Sequence, residues 1–316
     1  MLQQTRVEVV APRFEAFLRR WPTPASLAAA PVEDALTAWS GLGYYRRARN
    51  LHAAARALVG EHGGRFPGSV AALEDLPGVG AYTAGAVGSL ALGLPVPLVD
   101  GNVARVLARL FAVRGDPRKG EAARRIGALA AALVPGRGAG AWNEGLMELG
   151  ALVCVPGRPR CGECPLAGEC AARARGLEGR IPEIPARAPA RAVRLAAALV
   201  RDPRGRTLLV RRPDGGLLGG MYELPGAEVA EGADAPAALG AALALRLGGR
   251  WEVGALRARV RHSILDRRIA LEAYDARRAG RRCTPRRGTI YAAARDLGAL
   301  PLSSLVTKTL AAAGKS

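Results

Sequence analysis

The chain has 316 residues, 49% of them hydrophobic, and a formal net charge of +19. That length allows two domains with separate cores, and the excess of positive charge asks for a polyanionic partner, nucleic acid first. Only Lys119, Lys308 and Lys315 of the 46 basic residues are lysines; such a bias selects Arg over Lys but does not explain the excess over acids. No run reaches about 18 strongly apolar residues, which argues against a membrane span. MLQQTRVE lacks the pattern of a secretory signal, so a cytoplasmic, nucleoid-associated protein is expected.

Residues 5 to 20 read as a helix with Val7, Val10, Phe14, Phe17 and Leu18 on one face, ended by Trp21-Pro22. A short helix over 32–39 follows. The next, over 47–61, is expected to bury Leu51, Ala55, Leu58 and Val59. Helices are predicted again near 119–134 and 141–153, which makes this half all-α. Residues 171 to 193 turn to Arg, Pro and Ala and read as an extended linker. Beyond it the period changes to strands at 195–201, 207–211, 255–261, 268–275 and 289–294, with helices near 235–247 and 303–313. The carboxy-terminal half is therefore α+β.

The chain is organised around residues 76 to 111. Pro77 stops the preceding helix. Gly78 and Gly80 permit a tight turn and close approach to another molecule. Ala81 to Gly93 is a small apolar run whose first helical turn points free N–H groups outward, as phosphate binding requires. Asp100 precedes an amphipathic helix with Val103, Val106, Leu107, Leu110 and Phe111 on its apolar face. The plainer reading is two buried helices, with Asp100 as a helix cap. Cys154, Cys161, Cys164 and Cys170 lie within 17 residues at gaps of six, two and five. Four thiolates so spaced suit one metal centre, zinc or iron–sulfur, in a reducing compartment. Cys283 lies apart and reads as an ordinary thiol.

In order, MLQQT, GLGYYRRARNLH at 41–52, LPGVGAYTAGA at 76–86, LVDGNVARVLAR at 98–109 and the four cysteines resemble adenine DNA glycosylases of the MutY type, in the helix-hairpin-helix/endonuclease III superfamily. The resemblance covers nearly the whole chain. It implies an all-α helix-hairpin-helix glycosylase domain at 1–175, with a [4Fe–4S] cluster loop at 154–170. A linker at 176–193 and an α+β Nudix-like domain at 194–316 would follow. The implied reaction is base-excision repair: hydrolysis of the N-glycosidic bond of adenine mispaired with 8-oxoguanine or guanine, after the base is flipped from the duplex. Asp100 matches the carboxylate that steadies positive charge on the sugar, with Asn102 and Tyr82 in support. Glu144 falls where the family contacts adenine. Gln3, Gln4 and Tyr44 match residues that wedge around the lesion, and Thr5 is expected to bind DNA with them. Gly78, Val79 and Gly80 match the hairpin that grips the DNA backbone, and Cys154, Cys161, Cys164 and Cys170 match the cluster ligands. Arg46, Arg47 and Arg49 are expected near phosphates. The implied partner is double-stranded DNA carrying the mispair, bound by a monomer.

Tyr82 stands where lyases of the superfamily carry a Lys, and Tyr cannot form the imine that cuts the strand. The family's proton-donating Glu belongs two residues before the Met of MLQQT, where this chain begins. Either the start was taken at an internal Met, or the protein binds the mispair and cuts slowly. A glycosylase for another damaged base is a further alternative. In the second half, LLVRRPDGGLLGGMYELPG at 208–226 resembles the Nudix fold, but DAPAALGAALALRLG offers no Glu to hold magnesium, which argues against pyrophosphohydrolysis. The family's Phe-Ser-His lesion loop is replaced by Ile264-Leu265-Asp266. His262 or Ser263 is expected to read 8-oxoguanine instead.

Overall fold

A computed structural model of the chain describes residues 1, 5, 7–186, 188–213, 216, 218–280 and 288–314. Gln3, Gln4 and Cys283 lie outside the described residues. The helices of the first half are α1 (Val7–Arg20), α2 (Pro24–Ala29), α3 (Val32–Ala38), α4 (Arg46–His62), α5 (Val70–Glu74), α6 (Ala81–Ala86), α7 (Gly101–Leu110), α8 (Gly120–Leu133), α9 (Ala139–Glu148) and α10 (Ala171–Ala174). The second half carries β1 (Arg191–Leu199), β2 (Thr207–Arg211), β3 (Tyr222–Glu223), β4 (Gly226–Val229), α11 (Ala235–Leu247), β5 (Trp251–Ile264), β6 (Arg267–Arg278), β7 (Thr289–Ala292) and α12 (Ser304–Ala313). No described helix is long and apolar enough to cross a membrane.

The chain divides into two compact units, residues 53–187 and residues 1–52 with 188–316. In the first, α5 and α6 are joined by a turn at residues 75–80. Leu58, Leu73, Leu76 and Ala84 pack beneath that turn. The apolar face of α7 is buried as predicted at Val103, Val106 and Leu107, against Ile126 of α8, Leu146 of α9 and Ala172 of α10. The residues expected to open an extended linker thus form a short helix, because Ala172 has a core to enter. The predicted helix over 81–93 is α6 followed by a π-helical turn, Val87–Ala91. Gly85 lies there because a Cβ would stand 2.4 Å from the Pro97 carbonyl oxygen.

In the second unit, one sheet has the order β4-β1-β6-β5, with β1 and β6 parallel, and the other the order β3-β2-β7. One face of the larger sheet packs Ala196, Ala198, Tyr274 and Ala276 against Leu239 and Leu243 of α11. Its other face packs Val193, Val260, Ile269 and Leu271 with Leu209 of the smaller sheet and Leu305 and Val306 of α12. Residues 1–52 join this unit through hydroxyls: Ser40 Oγ and Tyr45 Oη both donate to the Leu302 carbonyl at 3.2 Å.

Two expected faces need correction. On α1, Val10 and Phe17 are buried, but Val7, Phe14 and Leu18 are exposed; on α4, Ala55 and Leu58 are buried, but Leu51 and Val59 are exposed. Apolar period fixes which residues share a helix face, not how much of that face another element covers.

Candidate active site

Asp100 is the cap of α7. Its Oδ1 accepts the backbone N–H groups of Asn102 at 2.9 Å and Val103 at 2.7 Å, and its Oδ2 accepts Asn102 Nδ2 at 3.0 Å. The plain capping role is therefore real, and it also aims the carboxylate. Asp100 is half-buried and forms no salt bridge among the described residues. Tyr82, on the first turn of α6, has its phenol pKa raised, by burial first and by the Asp100 carboxylate second. The tyrosine thus lies within electrostatic reach of the carboxylate.

Asn102 continues the chain of contacts. Arg105, one helical turn on, donates from Nη2 to Asn102 Oδ1 at 2.9 Å and to the Gly150 carbonyl at 2.6 Å, and from Nε to the Cys154 carbonyl at 2.7 Å. Gly150 meets Asn102 so closely that a Cβ there would stand 2.6 Å from Asn102 Cβ. One guanidinium therefore ties the amide beside Asp100 to the start of the cysteine loop. Arg109 is buried a turn later and donates to Ile181 O, Val155 O and Cys154 Sγ. Asn143, buried in α9, accepts Leu98 N and donates to Val96 O, pinning α9 to the segment that leads into Asp100. Glu144 is the next residue, exposed and without a bond or ion pair among the described residues. Sequence reading missed Arg105, Arg109 and Asn143. The available signal was two arginines four apart on a helix whose other face is wholly apolar.

At the hairpin, Val79 N donates to Leu76 O at 3.0 Å across Pro77-Gly78, and Gly78 has φ +76°. Proline then glycine at the two central positions is the composition of a type II turn. Gly80 caps α6 with φ −106° and no side-chain bond, and a Cβ there would meet nothing within 4 Å. Neither its conformation nor its neighbours in the chain demand a glycine.

Cys154, Cys161, Cys164 and Cys170 line one cavity of about 30 Å³ with Arg109, Arg173 and Glu178. Burial raises the Cys161 thiol, and Glu178 and the other three cysteines add to the shift. Among the described residues no three His, Cys, Asp or Glu side chains stand close enough to hold one metal ion. The donor set is all sulfur and gathered on one cavity, which suits a cluster whose four irons each take one thiolate.

The remaining predicted residues lie in the other unit. Tyr44 has φ +47° and is exposed, whereas Tyr45 is core. A left-handed backbone at a bulky aromatic is strained, and here the strain presents the ring to solvent. Thr5 donates to the Leu42 carbonyl and accepts from Arg47. Arg47 stands over the Tyr44 and Trp39 rings and donates to Met1 O. Arg49 donates to Gly219 O at 2.5 Å. Arg47 and Arg49, expected near phosphates, are therefore engaged within the chain, and Arg46 remains exposed. On β5, His262 and Ser263 point to opposite faces, as strand period two requires. The His262 pKa is lowered by burial and then by Lys308, while Ser263 is exposed.

A helical hairpin followed by an all-sulfur loop, then a Nudix-like sandwich, defines the class. Residues 1–131 match the family described as HhH-GPD superfamily base excision DNA repair protein, and residues 196–312 match the NUDIX domain. The chain belongs to the adenine DNA glycosylase family. It is 43% identical over 212 residues to the adenine DNA glycosylase of Mycolicibacterium smegmatis, covering 67% of this chain and 69% of that protein. It is 37% identical over 270 residues to the human adenine DNA glycosylase, covering 71% of this chain and 50% of that protein. The chain thus spans about half the length of the human relative. Among solved structures, a thermostable thymine-DNA glycosylase matches with TM-score 0.50 and 31% identity over 55% of this chain and 80% of that one.

Proposed function

We propose that this protein is a monofunctional adenine DNA glycosylase that hydrolyses the N-glycosidic bond of adenine opposite 8-oxoguanine or guanine. The observation that carries the reading is Asp100: a half-buried carboxylate aimed by three N–H donors, with the Tyr82 phenol and the Arg105 guanidinium within electrostatic reach and no direct ion pair among the described residues. As the bond from the sugar to adenine breaks, electron density leaves with the base and C1′ becomes positive. Asp100 stabilises that charge, and Asn102 and Tyr82 hold its orientation. Water adds at C1′ and gives up a proton as the departing adenine takes one up. Tyr82 offers no amine, so the strand is left uncut.

Glu144 is assigned to the flipped adenine. The DNA backbone is assigned to Gly78, Val79 and Gly80, and the side-chain-free approach at Gly80 supports this. Tyr44, with Gln3 and Gln4, is assigned to the space around the lesion, Thr5 to the DNA beside it, and His262 or Ser263, which face opposite sides of β5, to 8-oxoguanine. Cys154, Cys161, Cys164 and Cys170 are assigned a [4Fe–4S] cluster, which would supply a rigid fastening for the loop; hydrolysis needs no electron from it. The functional division is a glycosylase domain at 1–175, a linker, and a lesion-reading domain from 194. The protein would act as a monomer on nucleoid DNA.

The test compares base release from duplexes carrying adenine opposite 8-oxoguanine with release from duplexes carrying oxidised pyrimidines, read after alkali. Preferred release of adenine, with no strand break before alkali, is the expected result. Preference for the pyrimidines would overturn the assignment.

A further inference from the structure

The larger sheet of the Nudix-like unit has one face that α11 covers only in part. At its open end, strand register brings four arginines onto one surface. Arg194 of β1 and Arg261 of β5 flank Ala270 of β6 in one row. Arg268 lies between Ala192 and Ser263 in the next row, and Arg259 faces Glu272 in the row on the other side. All four arginines are exposed, as are Ala192, Ser263 and Ala270. Arg259 is paired with Glu272 at 3.0 Å, and Arg194 donates weakly to the Ala230 carbonyl at 3.4 Å. Arg261 and Arg268 have no hydrogen-bond or ion-pair partner among the described residues.

Like charges gathered on one sheet face oppose folding, so the cluster needs a reason outside the fold. A protein partner would need an apolar or aromatic centre to anchor on. This surface has alanines between its guanidiniums, and the one exposed leucine at the hairpin tip beside it, Leu265, is no such centre. Its small residues let a flat polyanion come close, and its arginines stand about 10 Å apart across two strand spacings. Ser263 shares the face. We infer that Arg194, Arg259, Arg261 and Arg268 form a second binding surface for the phosphate backbone of duplex DNA, on the face of the β5–β6 hairpin opposite His262. The assignment rests on the DNA-directed reading above and adds a contact independent of the lesion.

The test is a salt series of duplex affinity for the full-length protein, on A:8-oxoguanine duplex and on undamaged duplex. Each phosphate contact contributes about 0.9 to the slope of log affinity against log salt. Arg261→Gln with Arg268→Gln is expected to lower that slope by about 2 on both duplexes. Arg277→Gln removes one charge from the far end of β6 and is expected to leave the slope unchanged; the denaturation midpoint checks that each variant is folded. A wild-type slope in the double variant overturns this surface while leaving the glycosylase reading intact. A slope change confined to the lesion duplex also overturns it, since that is lesion reading. If the wild-type protein itself shows no salt-dependent affinity for duplex, the DNA-directed reading falls with it.

Discussion

The start of α7 and the β5–β6 hairpin are built in opposite ways. At α7, one carboxylate accepts three N–H bonds, its neighbouring amide is held by an arginine, and that arginine reaches two carbonyls of the segment 150–154. At the hairpin, His262 and Ser263 diverge to opposite faces, Leu265 at the tip is exposed with φ +55°, and Arg261 and Arg268 have no partner among the described residues. A group that steadies a transition state gains from fixed geometry. A surface that meets a polyanion gains from unspent charge.

The contrast can be broken most forcefully at Asp100. Asn caps helices as well as Asp does, so Asp100→Asn keeps the helix and removes only the charge. Excision under single turnover is expected to fall by at least about 10²–10³-fold, with the denaturation midpoint and duplex affinity unchanged. A matching loss of stability would reduce Asp100 to a cap. Arg105→Lys probes the fastening behind it. Lysine cannot reproduce the fork of bonds, and chemical denaturation is expected to show a loss of about 2–3 kcal/mol.

Two glycines sharpen the same comparison. Gly85→Ala forces a Cβ onto the Pro97 carbonyl, and a loss of about 1–3 kcal/mol is expected on denaturation. Gly80→Ala meets open space, so stability is expected to hold while duplex affinity falls. Similar losses of stability at both sites would mean that Gly80 serves packing rather than DNA.

The sequence made much of this legible. The α7 face, the hairpin turn and the gathering of four cysteines on one cavity each depend on local spacing, and local spacing survives folding. Short strands β3 and β4 did not show because two to four residues carry too little alternation. The burial of Leu51 and Val59 on α4 was overestimated because cover depends on distant segments. Arg105 and Asn143 were invisible for the same reason: their partners lie about 45 residues away. Tyr44 and Tyr45 were indistinguishable until the backbone set one in the left-handed region.

That pair gives a smaller effect. Tyr45→Phe removes the hydroxyl that bonds Leu302 O and Gly41 N and is expected to cost about 1 kcal/mol on denaturation. Tyr44→Gly relieves its strained backbone, so stability is expected to hold or rise while affinity for the mispair falls. The smallest effect is at His262. Its folded pKa lies below the ordinary 6.5, so the neutral ring favours the fold. Its contribution is complete above about pH 6.5 and is lost as pH falls through the folded value. His262→Gln is expected to flatten that part of the stability profile.

Charge at position 100 is tested most directly with two duplex inhibitors, one carrying a cationic pyrrolidine in place of the sugar and one its neutral furan analogue. The wild-type protein is expected to bind the cation at least about tenfold more tightly, as a charge-stabilising site does, and Asp100→Asn is expected to erase the preference. An undiminished preference in the variant would contradict the assignment of Asp100 to the developing positive charge.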